Sequence, residues 1–75
     1  MEDLVEFIAK SLVEEPEHVD IYSKETRRST ILKLRVAPDD TGRVIGKGGR
    51  VANAMRTLLR AANRDSDRAI ILEID

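Results

Sequence analysis

The chain of 75 residues has no cysteine and no tryptophan, one histidine, two prolines, and Phe7 and Tyr22 as its only aromatics. Without cysteine there is no disulfide framework, no thiol nucleophile and no thiolate metal site. His18 alone cannot build a histidine-rich metal site. No apolar run approaches membrane-spanning length, and the start carries Glu2, Asp3 and Glu6 where a secretion signal would carry basic residues. A cytoplasmic location with no membrane partner is the expectation. No cysteine nucleophile exists and no serine–histidine pair stands at convincing positions. One small domain also offers little room for a substrate cavity. The chain reads as a non-enzyme with no cofactor, no metal and no small-molecule substrate.

A chain this short buries only about 60–65% of its unfolded surface, so one domain of two layers over a thin core is expected. The net charge is −1, but the charges are segregated. Residues 1–26 hold two basic and eight acidic side chains, a net of −6. Residues 27–64 hold ten basic and two acidic, a net of +8, and residues 65–75 hold one basic and four acidic, a net of −3. A polyanion responds to the local field, not the total.

Leu4, Val5, Ile8 and Leu12, with Phe7 beside them, repeat at helical spacing and predict a helix from Met1 to Val13, stopped by Pro16. Phe7 and Met55 read as core. His18–Lys24 and Thr30–Val36 alternate as strands, joined by the polar stretch KETRRS, and should pair antiparallel. Asp39 or Asp40 reads as the N-cap of a short helix reaching about Ile45. A longer helix is expected from about Gly49 to Asn63, with Ala52, Met55, Leu59 and Ala62 as its buried stripe, Val51 and Leu58 widening it, and Arg56 and Arg60 on its solvent face. A turn NRDSD and a strand Arg68–Ile74 close the chain. The expected class is α+β, in the order α-β-β-α-α-β. A two-helix crossover should leave the second and third strands parallel, in a three-stranded mixed sheet with all helices on one face.

All four glycines fall in TGRVIGKGGR, residues 41–50, together with Arg43, Lys47 and Arg50. Gly46 stands where one helix ends, and Gly48 and Gly49 lead into the next, whose first amides lack internal acceptors. Side-chain-free backbone beside free N–H groups and cations suits a sugar–phosphate chain. A nucleotide P-loop is excluded: Lys47 precedes Gly48 rather than Ser or Thr, the glycine spacing is wrong, and a helix precedes the loop. The dinucleotide fingerprint fails for want of its third glycine.

Ile45-Gly46-Lys47-Gly48-Gly49-Arg50, between two helices and after a hairpin, resembles the IGxxG signature of type II KH domains. The resemblance spans the chain and is nearest to the small stand-alone bacterial KH proteins of the KhpA type. It implies single-stranded RNA binding by a GxxG loop and an RNA-chaperone or post-transcriptional role. It also implies pairing as a homodimer, or as a heterodimer with a larger KH-containing protein of the Jag (KhpB) type. On that resemblance Lys47 and Gly48 face phosphates, Gly46 and Gly49 shape the turn, and Arg43 and Arg50 flank the backbone. Val44, Ile45 and Val51 wall an apolar groove, with Leu34, Val36 and Ile71 as further contributors. Ala52, where a large aliphatic is common in the family, implies a shallower groove, and Gly48 a looser loop. The short NRDSD turn implies weak, permissive base recognition.

With two aromatics, base stacking cannot be the main source of affinity, unlike in RRM or OB readers. Arg56, Arg60 and Arg64 fit a solvated helix face and a set of phosphate contacts equally well. Lys33 and Arg35 read as surface residues of the open sheet face, and His18 as a strand-edge surface residue. The alternative function is a dimerisation module using Ala52, Ala54, Met55 and Leu58.

Overall fold

The computed structural model describes residues 1–75. Helix α1 is Glu2–Leu12, and a single 3-10 turn at Pro16–His18 leads to β1, Asp20–Glu25. Strand β2 is Ser29–Arg35, followed by a 3-10 turn at Pro38–Asp40 and the five-residue helix α2, Thr41–Ile45. A tight turn at Lys47–Gly49 leads into α3, Arg50–Ala62, and β3 is Ala69–Ile74. The element order and the strand pairing follow the periodicity of the sequence. The β1–β2 pair is antiparallel, β2–β3 is parallel, and β2 lies in the centre.

Register assigns the two faces. Ser23, Leu32 and Leu72 share a row, as do Ile21, Leu34 and Ile74. These rows face the helices. Val5 and Ala9 of α1, Val44 of α2, and Met55 and Leu59 of α3 join Leu32, Leu34 and Leu72 in one core cluster. The opposite rows, Tyr22–Lys33–Glu73 and Lys24–Ile31–Ile71, form the face without helices. Lys33 and Glu73 pair across it at 3.7 Å.

Several expectations change. Phe7 is 70% exposed, although it was read as core. It lies two residues from both Val5 and Ala9, about 200° around the helix from each buried position. Ala62 and Leu58 are exposed, so the buried stripe of α3 is narrower: Ala52, Met55 and Leu59. His18 belongs to the 3-10 turn ahead of β1 rather than to the strand. No side-chain cap bond is made by Asp40 at the start of α2.

Candidate nucleic-acid interface

The glycine turn is built on conformations that other residues rarely adopt. Gly46 ends α2 at φ 78°, ψ 169°, a region essentially restricted to glycine. A Cβ there would lie 2.5 Å from Val51 Cγ2 and 2.8 Å from Val51 N, so the end of α2 rests directly on the first turn of α3. Gly48 is also at positive φ, 64°, but for a different reason: a Cβ there meets nothing within 4 Å. Its backbone and that of Lys47 form an exposed tip. Gly49 starts α3 from the left-handed conformation, with Asn53 its nearest neighbour at 3.7 Å from a Cβ position.

Some amides expected to be free are used within the turn. The Gly49 N–H donates to the Gly46 carbonyl at 3.1 Å, and the Arg50 N–H donates to that of Lys47. These bonds hold the tip in one shape. Lys47 and Arg50 are exposed and make no ion pair.

The remaining predicted site residues divide by burial. Ile45 stands at the rim, 36% exposed. Val51 is half-buried against the core and under Gly46. Val44 is fully buried and anchors α2 to the core, so it supports the turn from inside rather than lining a groove. Leu34 and Val36 are likewise core residues, and Ile71 lies on the sheet face away from the helices. Ala52 is 3% exposed, so it is buried rather than lining a surface groove.

Arg43 departs most from its expected place. Its Nη2 is 2.8 Å from Glu14 Oε1, and its Nη1 donates to Asp40 Oδ1 at 3.0 Å and to the Asp39 carbonyl at 3.1 Å. The guanidinium braces α2 against the segment after α1. Asp40, 1% exposed, is the centre of that brace and was missed as a site-shaping residue. It accepts the N–H groups of Glu14 and Glu15, each at 3.1 Å. The Glu14 amide leads in holding its carboxyl below the usual range; burial opposes this, and the Glu15 amide and Arg43 add to it. The one local signal was an aspartate three residues before an arginine at a helix start.

Arg56 also leaves the solvent face assigned to it. It donates to Asn53 Oδ1 and to the Leu72 carbonyl, both at 3.2 Å, which ties α3 to β3. The larger surface cavity, about 480 Å³, is lined by Glu17, His18, Arg35 and Thr41 among others, and by no residue of the glycine turn. No helix is long and apolar enough to cross a membrane.

A hairpin, a helix, a GxxG turn, a second helix and a parallel third strand, led by an N-terminal helix, define a type II KH domain. The family profile described as "KhpA/KhpB, KH domain" matches residues 2–74, and the chain belongs to that family. It is 47% identical over 74 residues to the RNA-binding protein KhpA of Clostridium perfringens, covering 99% of each chain. It is 50% identical to the RNA-binding protein KhpA of Listeria monocytogenes, covering 99% of this chain and 97% of the relative. It is 37% identical to the RNA-binding protein KhpA of Streptomyces coelicolor, covering 100% of this chain and 95% of the relative.

Proposed function

We propose that the protein binds single-stranded RNA through the glycine turn. The backbone of Gly46–Gly49 receives the sugar–phosphate chain, and Lys47 and Arg50 neutralise phosphates. The observation that carries this reading is the exposed tip at Lys47–Gly48, held at a positive-φ glycine with open space above it. RNA is favoured over other polyanions because the relatives are named RNA-binding proteins. Ile45, Gly46 and Gly49 border the strand, Val44 and Val51 hold the turn in place, and Arg43 braces it from behind. A grip on the backbone, with little apolar surface for bases, suits sequence-permissive binding of the kind an RNA chaperone or post-transcriptional regulator needs.

The test is the double variant Lys47→Asp, Gly48→Asp. Aspartate is among the residues that tolerate left-handed backbone, so the fold should persist, which circular dichroism checks. RNA binding should be lost. A folded variant that binds RNA like the parent removes the turn from the site.

A second reading rests on the outer side of α3. Leu58 is 50% exposed, and Ala54 and Ala61 beside it are exposed as well. Ala52 and Met55 are buried and unavailable. The strip Ala54–Leu58–Ala61 is a surface for a second KH domain, either a copy of this chain or a larger KH-containing protein of the KhpB type.

A further inference from the structure

The sheet has two edge strands, β1 and β3, and the fold treats them differently. On β3 the Leu72 carbonyl accepts a hydrogen bond from Arg56. On β1 no side chain bonds a backbone group. The Thr26 N–H donates to the Ser29 carbonyl at 2.8 Å, so these two form a bonded pair at the end of the β1–β2 hairpin. Bonded and non-bonded pairs alternate along an antiparallel ladder. Asp20, Tyr22 and Lys24 therefore turn their amides toward β2, and Ile21, Ser23 and Glu25 turn theirs outward. Five of the six β1 residues are exposed, including Ser23 and Glu25 in the rows that face the helices. The helix layer thus leaves this edge open.

The side chains add a charge pattern. Asp20, Tyr22 and Lys24 lie on the sheet face without helices. Arg35, which stands opposite Asp20, pairs with Asp75 instead, and the residue opposite Lys24 is Ile31. Neither Asp20 nor Lys24 has an ion-pair partner. Tyr22, between them, is 47% exposed. A lone lysine on an edge strand discourages pairing with another strand. A second copy of β1 changes that. Laid antiparallel about a two-fold axis, it can pair the outward amides in several registers that differ by two residues. Only the register centred on Tyr22 sets opposite charges directly across from each other. Asp20 then meets Lys24 of the second copy, and Lys24 meets its Asp20. The two Tyr22 rings lie side by side on the axis, and Ile21 exchanges backbone bonds with Ser23 of the second copy.

We propose that the β1 edge is a self-association surface, where two copies join their sheets antiparallel about Tyr22. Opposite charges and paired aromatics at directly facing positions each stabilise a strand pair, and here both occur in one register. The contact uses no residue of the glycine turn or of α3. It is confined to one strand edge, which puts it among small, transient interfaces. Together with pairing through Ala54–Leu58–Ala61, it links pairs of copies into larger assemblies.

The test exploits the absence of cysteine. Single cysteines are placed in a Leu58→Glu chain, so that α3 does not contribute, and each protein is equilibrated in a glutathione redox buffer. Facing residues of a non-bonded antiparallel pair have Cα atoms about 4.5 Å apart, a distance that a disulfide spans. Tyr22→Cys should become a disulfide-linked dimer. Lys24→Cys and Lys33→Cys, on the same sheet face, should stay monomeric. A mixture of Asp20→Cys and Lys24→Cys should give the mixed dimer in preference to either self-dimer. Circular dichroism checks each fold. A second measurement needs no cysteine: sedimentation equilibrium of the Leu58→Glu chain should show weak self-association. Adding Lys24→Asp sets two carboxylate pairs face to face and should weaken it by about 30-fold. Adding Asp20→Lys as well should restore it. Equal cross-linking at all three single positions overturns the proposal, and so does none at Tyr22→Cys. A charge swap that fails to restore association overturns it too. So does Tyr22→Cys linking to an extended threonine–valine repeat peptide with one cysteine as readily as to itself, which would make the edge a general strand acceptor.

Discussion

Asp40 meets the Arg43 guanidinium at 3.0 Å while accepting two backbone N–H groups from residues 14 and 15, so one buried carboxylate fastens the end of α1 to the helix that carries the glycine turn. All three partners favour its charged form, and its pKa is depressed in the folded state. The stability it contributes is therefore present above the pKa of an unfolded aspartate and is lost as pH falls through the lower folded value. The thermal midpoint of the parent should drop across that acid window. Asp40→Asn should unfold at a lower temperature already at neutral pH and should show a flatter acid dependence. Matching pH profiles for the two proteins would remove Asp40 as the acid-sensitive fastening. Glu14→Gln, which alters only a pair exposed on both sides, should shift the midpoint little.

Gly46 and Gly42 should respond in opposite directions to alanine. At Gly46 the added Cβ collides with Val51, and the backbone lies where only glycine is at ease. Strain of about 1–3 kcal/mol plus overpacking of a similar size predicts a loss of about 2–6 kcal/mol. Gly42 lies within α2 with open space at its Cβ position and no positive φ. Gly42→Ala should stabilise by about 0.5–1 kcal/mol. Urea melts of the two variants read the contrast directly. A tolerated Gly46→Ala would mean that the turn is looser than the contact with Val51 implies.

The clamp alone predicts a modest salt dependence. Two or three phosphate contacts to a single strand give a log–log slope of about −1.4 to −2.1. Fluorescence anisotropy with a tetranucleotide of uridine checks this. A flat titration would locate the affinity in uncharged contacts and count against Lys47 and Arg50 as phosphate partners.

How much of this was legible depends on the range of the interaction. Alternation at period two identified the strands and their inward residues, because Leu32, Leu34 and Leu72 each need only a neighbour on the same pleated face. The glycine turn was legible because both its flanking helices and its composition are local. Asp40 was not, because its amide partners lie 25 and 26 residues away. Read locally, an aspartate before a helix is a cap. Three residues expected to line the groove lie elsewhere for a related reason. Val44, Leu34 and Val36 are apolar, but apolarity does not say whether a residue lines a surface groove or the core, and all three lie in the core. Arg56 shows the same limit: helical spacing placed it on the solvent face of α3, and only the position of β3 decided that its guanidinium would reach the Leu72 carbonyl.

Leu58 separates assembly from RNA contact. It is half exposed on α3, with Ala54 and Ala61 one turn to either side, so a second helix can approach closely there. Leu58→Glu should leave the thermal midpoint of the domain nearly unchanged, since an exposed substitution typically moves stability by no more than about 0.5 kcal/mol. Across a two-fold interface it would set two carboxylates against each other, so on the pairing reading sedimentation velocity should show dimer for the parent and monomer for the variant. On the pairing reading two RNA sites are joined, so the variant should also bind long oligonucleotides more weakly while holding a tetranucleotide as before. A parent that stays monomeric at concentrations saturating for long RNA would leave the affinity to the single domain.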